Sequence, residues 1–156
     1  MALTIAAESP LTEEAAALIE GSEAALREVY SAEECFTFTA AELAAPGITF
    51  LVARTGDGTP AGCVALCDCG TYGEVKRLFV TPEGRGRGTA RALMADLEAR
   101  AAAAGLASVR LETGDKLAAA VALYTDLGYH VRGPFGAYED HPASLFMEKP
   151  LTNPAD

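Results

Sequence analysis

The chain has 156 residues, half of them hydrophobic, and its 22 acidic residues outnumber 12 basic ones, for a formal net charge of −10. A chain of this length is expected to fold as one domain, residues 1–156, with a buried core. The acidic balance argues against nucleic acid as a partner. No apolar run has the length of a membrane span and the first residues do not resemble a signal peptide, so we expect a cytoplasmic protein that does not enter the membrane.

The first half of the chain predicts one strand, two helices and an antiparallel meander of three strands. Thr12 is a candidate N-cap for the first helix, in which Gly21 and Ser22 are expected to introduce a break. Thr39 is a candidate cap for the second, shorter helix. Short runs rich in apolar and β-branched residues, bounded by turn residues, predict the strands, and alternate side chains are expected on opposite faces. The strands are expected at residues 3–7, 48–53, 61–69 and 74–80.

The last of these strands leads into a turn in which three glycines at alternate positions are separated by two arginines. Leu93, Met94 and Leu97 then recur at helical spacing, so a helix is expected to begin directly after the turn. Glycines allow backbone N–H groups to point outward at the positive end of the helix dipole, and arginines can pair with a diphosphate. We interpret this segment, called the Gly-Arg turn below, as a phosphate-binding site; an ordinary turn with solvated arginines is the alternative. The binding residues would be Arg85, Gly86, Arg87, Gly88, Thr89 and Ala90.

The second half of the chain predicts a strand at residues 108–112, a helix ending at Gly128 and two final strands at residues 129–132 and 144–148. A helix that connects two neighbouring strands makes a right-handed unit, so strands 74–80 and 108–112 should run parallel. The sequence therefore predicts an α+β fold with a mixed, mostly antiparallel sheet of about seven strands and helices on both faces.

Three of the four cysteines, Cys63, Cys67 and Cys69, have the same parity on one predicted strand. A metal site would need Cys or His ligands from a second segment at suitable spacing, and the sequence does not present them. We therefore predict no metal site and expect the cysteines, Cys35 included, to be small buried apolar residues.

Two short motifs resemble the GNAT superfamily of acyl-CoA-dependent N-acetyltransferases. Arg85, Gly88 and Ala90 match the pattern R-x-x-G-x-A of its motif A, and residues 122–129 match its segment A-x-x-L-Y-x-x-x-G-F/Y. The order of predicted elements is the GNAT order over nearly the whole chain. The segments LETG, PFGAY and SLFM further resemble a subgroup of small bacterial GNAT proteins, some of which are named indole-3-acetate acetyltransferases. These segments occupy residues 111–114, 134–138 and 144–147.

The resemblance implies acetyl-CoA as co-substrate, with its pyrophosphate at the Gly-Arg turn. It also implies that the central parallel strands splay apart and that the pantetheine arm bonds the exposed backbone of Leu78, Phe79 and Val80. The expected activity is transfer of acetyl to a primary amine of a small molecule by direct attack. Acetylation of protein N-termini or lysines, and a non-catalytic acyl-CoA sensor, are the alternatives. A homodimer through the C-terminal strands is common in the superfamily.

Acyl transfer to an amine needs a base for the acceptor ammonium and an acid for the departing thiolate. Tyr124 matches the superfamily position whose hydroxyl lies beside the CoA sulfur, and it is the candidate acid. Glu74 corresponds to a glutamate that many members use as a base or to bind water; an exposed carboxylate at the start of a strand is the alternative. The loop of residues 133–143 is expected to close over the acceptor, with Tyr138, His141 and Ser144 as substrate-side residues.

Overall fold

A computed structural model describes residues 3–30 and 39–151 of the chain. The helices are α1 (Glu13–Arg27), α2 (Ala40–Leu43), α3 (Thr89–Ala103) and α4 (Ala118–Asp126), with a 3-10 turn at Pro82–Gly84. The strands are β1 (Thr4–Ala7), β2 (Ile48–Arg54), β3 (Pro60–Asp68), β4 (Tyr72–Val80), β5 (Ser108–Gly114), β6 (His130–Arg132) and β7 (Ser144–Pro150).

The seven strands form one sheet in the order β1-β2-β3-β4-β5-β7-β6, in which β4 and β5 are parallel and the other neighbours are antiparallel. Side chains of α3 and α4 form a core on one face, where Leu93, Met94 and Leu97 meet the strands. Side chains of α1 and α2, such as Leu18 and Leu43, form a second core on the other face. The predicted α+β class, the mixed sheet and its parallel pair are confirmed. Within the described residues, no helix combines the length and apolar character needed to span a bilayer.

The predicted break in the first helix at Gly21 and Ser22 is wrong, because α1 is continuous through both residues. The Ser22 hydroxyl donates a hydrogen bond to the Ile19 carbonyl at 2.7 Å, so this polar side chain is satisfied inside the helix. A Cβ added to Gly21 would lie 2.7 Å from Cε2 of Phe79 on β4. Glycine therefore allows close contact between α1 and the sheet at this position, at a cost of about 1 kcal/mol in helix propensity.

Strand β4 contains a bulge that the sequence did not indicate. Cys63 lies opposite Phe79 and Ala65 lies opposite Lys76, so two residues of β4 face one residue of β3 between these pairs. The extra residue is Arg77, whose φ of 58° is in the left-handed region. The expected alternation is therefore wrong beyond Lys76: Phe79 packs in the α1 core, although it has the same parity as Val75 in the α3 core.

The parallel strands splay apart as expected. Pairing between β4 and β5 runs from Tyr72 opposite Ser108 to Val75 opposite Leu111 and ends there, although β4 continues to Val80. The end of β5 instead continues its pairing with β7, up to Gly114 opposite Ser144. A cleft opens between the carboxyl ends of the two parallel strands, the position where open α/β sheets bind ligands.

Tyr30, just beyond α1, closes one end of this cleft. Its hydroxyl donates to the Asp115 carboxylate at 3.1 Å and accepts the backbone N–H of Lys116 at 2.6 Å. A Cβ added to Gly114 would overlap the Tyr30 hydroxyl and would lie 2.5 Å from the ring carbon Cζ. Gly114, the glycine of the LETG segment, therefore leaves the space that the Tyr30 ring occupies. Through its hydrogen bonds, Tyr30 connects the end of α1 to the residues before α4.

We predict that Gly114→Ala lowers the free energy of unfolding by about 1–3 kcal/mol, because the new methyl group must displace a buried ring. The measurement is the urea-unfolding midpoint, with Gly133→Ala as the control. A Cβ at Gly133 meets nothing within 4 Å and its φ is outside the left-handed region. Equal midpoints for the two variants would contradict the tight fit of Tyr30 against β5.

Candidate active site

A cavity of about 420 Å³ occupies the cleft between the splayed strands. One wall is formed by α1 and Tyr30, and the opposite wall by β5 and the first turns of α4. Residues Val75–Phe79 of β4 lie between these walls, and Tyr138 and Ala143 contribute from the loop before β7. Of the residues expected to meet a pantetheine arm, Leu78 and Phe79 line the cavity, whereas Val80 lies at the end of β4 outside the lining.

The Gly-Arg turn lies between the end of β4 and the N-terminus of α3. Gly86 and Gly88 have φ values of 77° and 73°, and a Cβ added to either would meet nothing within 4 Å. Both glycines therefore hold a left-handed conformation beside open space, which leaves the backbone accessible to a ligand. Arg85 and Arg87 are exposed, and within the described ranges neither guanidinium has an ion-pair partner.

The other residues near this turn have structural contacts. Thr89 is buried, and its hydroxyl donates to the Gly84 carbonyl at 2.9 Å, so only its backbone N–H is left for a ligand. Ala90 is half-buried in the first turn of α3. Arg91, in the first turn of α3, forms an ion pair with Asp126 of α4.

Tyr124 lies on α4 and lines the cavity, with only 6% of its surface exposed. Its ring packs edge-on against Tyr129, with ring centroids 5.7 Å apart. Burial raises the pKa of the Tyr124 hydroxyl, because the phenolate would lose its hydration. The hydroxyl therefore stays protonated at neutral pH and can donate a hydrogen bond or a proton into the cavity.

Glu74 is the centre of a buried hydrogen-bonded group. Only 7% of this residue is exposed, so the alternative of an exposed carboxylate at a strand start is wrong. Its Oε2 accepts a hydrogen bond from the Tyr138 hydroxyl at 2.5 Å and lies 2.7 Å from the Lys76 ammonium. Lys76 also donates to the Tyr138 oxygen at 2.5 Å. Burial, followed by the contact with Glu74, raises the pKa of Tyr138. The three side chains thus join β4 to the loop before β7.

That loop is held down on the sheet by Phe135, of which 5% is exposed. The Phe135 ring lies edge-on to Tyr72, Tyr138 and Phe146, with ring centroids 5.2 to 5.8 Å apart. The loop therefore covers the sheet beside the cavity, and Tyr138 is the one predicted substrate-side residue that also lines the cavity.

Glu112 is a candidate site residue that sequence reasoning missed. It lies on β5 and lines the cavity, and its Oε2 accepts a hydrogen bond from the Ser144 hydroxyl at 2.8 Å. Burial raises the pKa of Glu112, and the hydrogen bond from Ser144, followed by the charges of Lys76 and His141, opposes this shift only in part. Neither Ser144 nor His141 lines the cavity: Ser144 contacts it only through Glu112. The Nδ1 atom of His141 accepts a hydrogen bond from the Ala143 N–H at 3.0 Å.

The sequence of β5 did contain a signal for Glu112. Val109 and Leu111 fill the α3 core, so the alternation of the strand turns Glu112 to the other face, next to Gly114 at the strand end. Sequence alone does not tell whether that face is solvated or covered. Here α1 and the loop before β7 cover it.

The sequence model of the acetyltransferase (GNAT) family matches residues 15–129. The chain belongs to this family. It is 48% identical over 151 residues to an IAA acetyltransferase of Azospirillum brasilense. The aligned region covers 96% of this chain and 98% of that protein. A provisionally named acyl-CoA N-acyltransferase structure from Klebsiella pneumoniae has a TM-score of 0.81 at 34% identity, covering 96% of this chain and 98% of that one.

The GNAT fold is also shared with a PaiA N-acetyltransferase from Thermoplasma acidophilum in complex with coenzyme A. The TM-score is 0.74 at 20% identity, with 96% of this chain and 99% of that chain covered. Membership of this family makes the protein an acyltransferase. The resemblance to the GNAT superfamily seen in the sequence is thereby confirmed.

The three cysteines of this GNAT protein that the structure describes lie outside the cavity lining. Cys63 is buried as predicted, whereas Cys67 and Cys69 are only half-buried, with their sulfur atoms 3.7 Å apart. The expectation of burial is wrong for these two, because Cys67 is the penultimate residue of β3 and Cys69 lies just beyond the strand. Cys35 lies outside the described residues. The described part of the chain holds no group of three or more His, Cys, Asp or Glu side chains placed to bind a metal.

We predict that Glu112→Gln stabilises this GNAT fold at neutral pH. A carboxyl group whose pKa is raised by folding destabilises the native state once pH rises high enough to ionise it, and this cost vanishes below the ordinary value of 4.5. Glutamine keeps the acceptor for Ser144 without the charge. The Tm of the variant should therefore exceed that of wild type at neutral pH, and the difference should disappear as the pH falls below 4.5.

The matched control is Glu139→Gln, which makes the same charge change at an exposed position of the loop before β7. Its Tm should equal that of wild type throughout. A Glu112→Gln variant that is less stable than wild type at neutral pH would contradict the burial cost assigned to Glu112.

Proposed function

We propose that the protein is a cytoplasmic N-acetyltransferase that transfers the acetyl group of acetyl-CoA directly to a primary amine of a small molecule. The observation that carries this proposal is that the half-buried carboxylate of Glu112 and the buried hydroxyl of Tyr124 line one cavity between the splayed strands. One group can take a proton and the other can give one, as amine acylation requires. Free thiols at Cys63, Cys67 and Cys69 suit a reducing compartment.

Acetyl-CoA supplies an acetyl group already activated as a thioester, so the protein needs no covalent intermediate of its own. The Gly-Arg turn fits a diphosphate, because the backbone at Gly86 and Gly88 faces open space and two exposed arginines flank it. The apolar first turn of α4, from Leu117 to Ala120, and the unpaired edge of β4 fit the arm of the molecule. The Thermoplasma enzyme, which has the same fold, was determined in complex with coenzyme A, and this supports coenzyme A as the acyl carrier.

We assign the general base to Glu112 and the general acid to Tyr124. Glu112 lines the cavity, and its raised pKa brings it closer to neutral pH, where a base works well. Glu74 is the alternative base, but it is bound by Lys76 and Tyr138 and lies outside the cavity lining. Glu112 takes a proton from the acceptor ammonium and Tyr124 gives one to the leaving sulfur, so that amide, thiol and one proton are released overall.

A small acceptor is favoured over a protein chain. The loop before β7 covers the sheet beside the cavity, where Phe135 and Tyr138 pack against one another and against Phe146. A peptide substrate would need an extended groove at this position. The name of the Azospirillum relative, an IAA acetyltransferase, also points to a small molecule.

Binding of the donor is tested by calorimetric titration of the protein with acetyl-CoA. We expect micromolar affinity for wild type and a loss of about 10-fold or more in Arg85→Glu, because a charge-assisted pair becomes a repulsive one. Arg100→Glu is the matched control, since it makes the same charge change near the far end of α3, where Arg100 pairs with Asp96. An equal loss in both variants would make the effect one of net charge and would contradict a phosphate site at the Gly-Arg turn.

Turnover tests the acid and the base together and separates an enzyme from a sensor. We expect Tyr124→Phe to lower kcat by about 100-fold with acetyl-CoA affinity kept, and Glu112→Gln to lower kcat/KM for the amine by a similar factor. Tyr129→Phe is the control for the tyrosine, because its hydroxyl bonds Glu98 outside the cavity. A greater loss in Glu74→Gln than in Glu112→Gln would transfer the base role to Glu74, and unchanged turnover in Tyr124→Phe would remove the assigned acid.

A further inference from the structure

With the donor arm placed at the first turn of α4, the acceptor end of the cavity is the part lined by Glu112, Leu26 and Tyr30. Positive and negative charges are unequal in number there, and this restricts the acceptor. Lys76 is bound to Glu74, so these two charges cancel within one hydrogen-bonded group. Glu112 has a hydroxyl partner in Ser144, and the charges of Lys76 and His141 lie nearby. Among the charged side chains of the cavity lining, Lys76 pairs with Glu74, Arg77 pairs with Glu23, and Glu112 has the neutral hydroxyl of Ser144. The lining and its bonded partners therefore carry one excess negative charge, which an acceptor ammonium would balance.

Cations that could bind an acceptor carboxylate can be counted for the whole chain, because all 12 lysines and arginines and both histidines lie within the described residues. Two of them, Lys76 and Arg77, line the cavity. The guanidinium of Arg77 is turned into α1, where it donates to Ser22 at 2.9 Å and to Glu23 at 2.8 Å, and only 2% of its side chain is exposed. Both cations are thus engaged by protein groups of opposite charge.

Among the described residues, the rest of the wall at this end consists mostly of apolar side chains and has no charged one. Ala25 and Leu26 face the cavity from α1, and Tyr30 closes it below them. Ala143 completes the wall from the loop before β7. These side chains can pack against a hydrocarbon or aromatic group, but they offer no partner for a second charge.

We propose that the acceptor is a primary amine with a single positive charge, an apolar body and no carboxylate. This inference rests on the proposed acetyltransferase function and adds the substrate class to it. The acceptor ammonium would lie against Glu112, and its body against Leu26 and Tyr30. A carboxylate on the same molecule would enter a cavity with excess negative charge and no unengaged cation in its lining, because the Lys116 ammonium lies outside the lining, 5.5 Å from the centroid of the Tyr30 ring. The carboxylate would therefore be rejected by repulsion and desolvation.

The test uses three compounds with one ring system: tryptamine, tryptophan and indole-3-acetate. Each is incubated with the intact protein and acetyl-CoA, and acetylated product is measured by mass spectrometry, since thiol reagents would also react with the cysteines. We expect kcat/KM for tryptamine to exceed that for tryptophan by about 10-fold or more, with no product from indole-3-acetate. Equal rates for tryptamine and tryptophan, or product from indole-3-acetate, would overturn the proposal.

A charge placed on the apolar wall gives a second measurement. Leu26 is half-buried on α1, so Leu26→Arg should bring a cation to the acceptor end and reduce the preference for tryptamine over tryptophan. Leu26→Gln removes the same apolar contact without adding charge, and it should keep the preference. Equal preferences in the two variants would contradict the electrostatic origin of the selectivity.

Failure of this inference is distinct from failure of the proposed function. If tryptamine is not acetylated while a polyamine or a lysine-containing peptide is, the substrate class is wrong and acetyl transfer stands. If no amine is acetylated and titration detects no binding of acetyl-CoA, the proposed function itself is wrong, and the substrate class falls with it.

Discussion

The separation of two parallel strands after Val75 and Leu111 determines where every other part of the site lies. Parallel strands in a continuous sheet satisfy each other's backbone groups, so a pair that separates leaves one edge of β4 facing a cleft. The cleft has to be held open from both sides. β7 holds the end of β5 through Gly114, and α1 holds the corresponding part of β4. The position of the cavity is therefore set by the pairing of the strands, and the side chains then line it.

The contact between α1 and β4 is concentrated at the bulge. Arg77 has a left-handed backbone, which costs about 1–2 kcal/mol for a residue with a Cβ. Its guanidinium donates hydrogen bonds to Ser22 and Glu23 of α1. Next to this contact, Gly21 of α1 lies close to the ring of Phe79 on β4. One helix thus offsets the strain of the bulge and supplies the apolar wall of the cavity. The bulge in turn moves Phe79 to the face of the sheet that α1 covers.

The sequence predicted the parts of this protein that depend on local pattern. The Gly-Arg turn, the helix after it and the parallel strand pair follow from glycine spacing and hydrophobic periodicity, and the two GNAT motifs extended them to a family. The bulge at Arg77 was not predicted, because no glycine or proline marks it and the alternation of apolar residues on β4 looks regular. Gly21 was taken for a helix breaker, although its role depends on a ring on a distant strand. Glu112 was missed for the same reason, since its burial depends on α1 and the loop before β7 rather than on its neighbours in β5.

Tyr30 connects the two walls of the cavity through a single oxygen atom. The same hydroxyl bonds the Asp115 side chain and the Lys116 backbone, immediately before the turn of α4 that faces the cavity, while its own backbone follows directly from α1. The two helices that line opposite walls of the cavity are therefore mechanically coupled. A shift of the first turn of α4 would pull on the end of α1, so a change on one side of the cavity would alter the space on the other side.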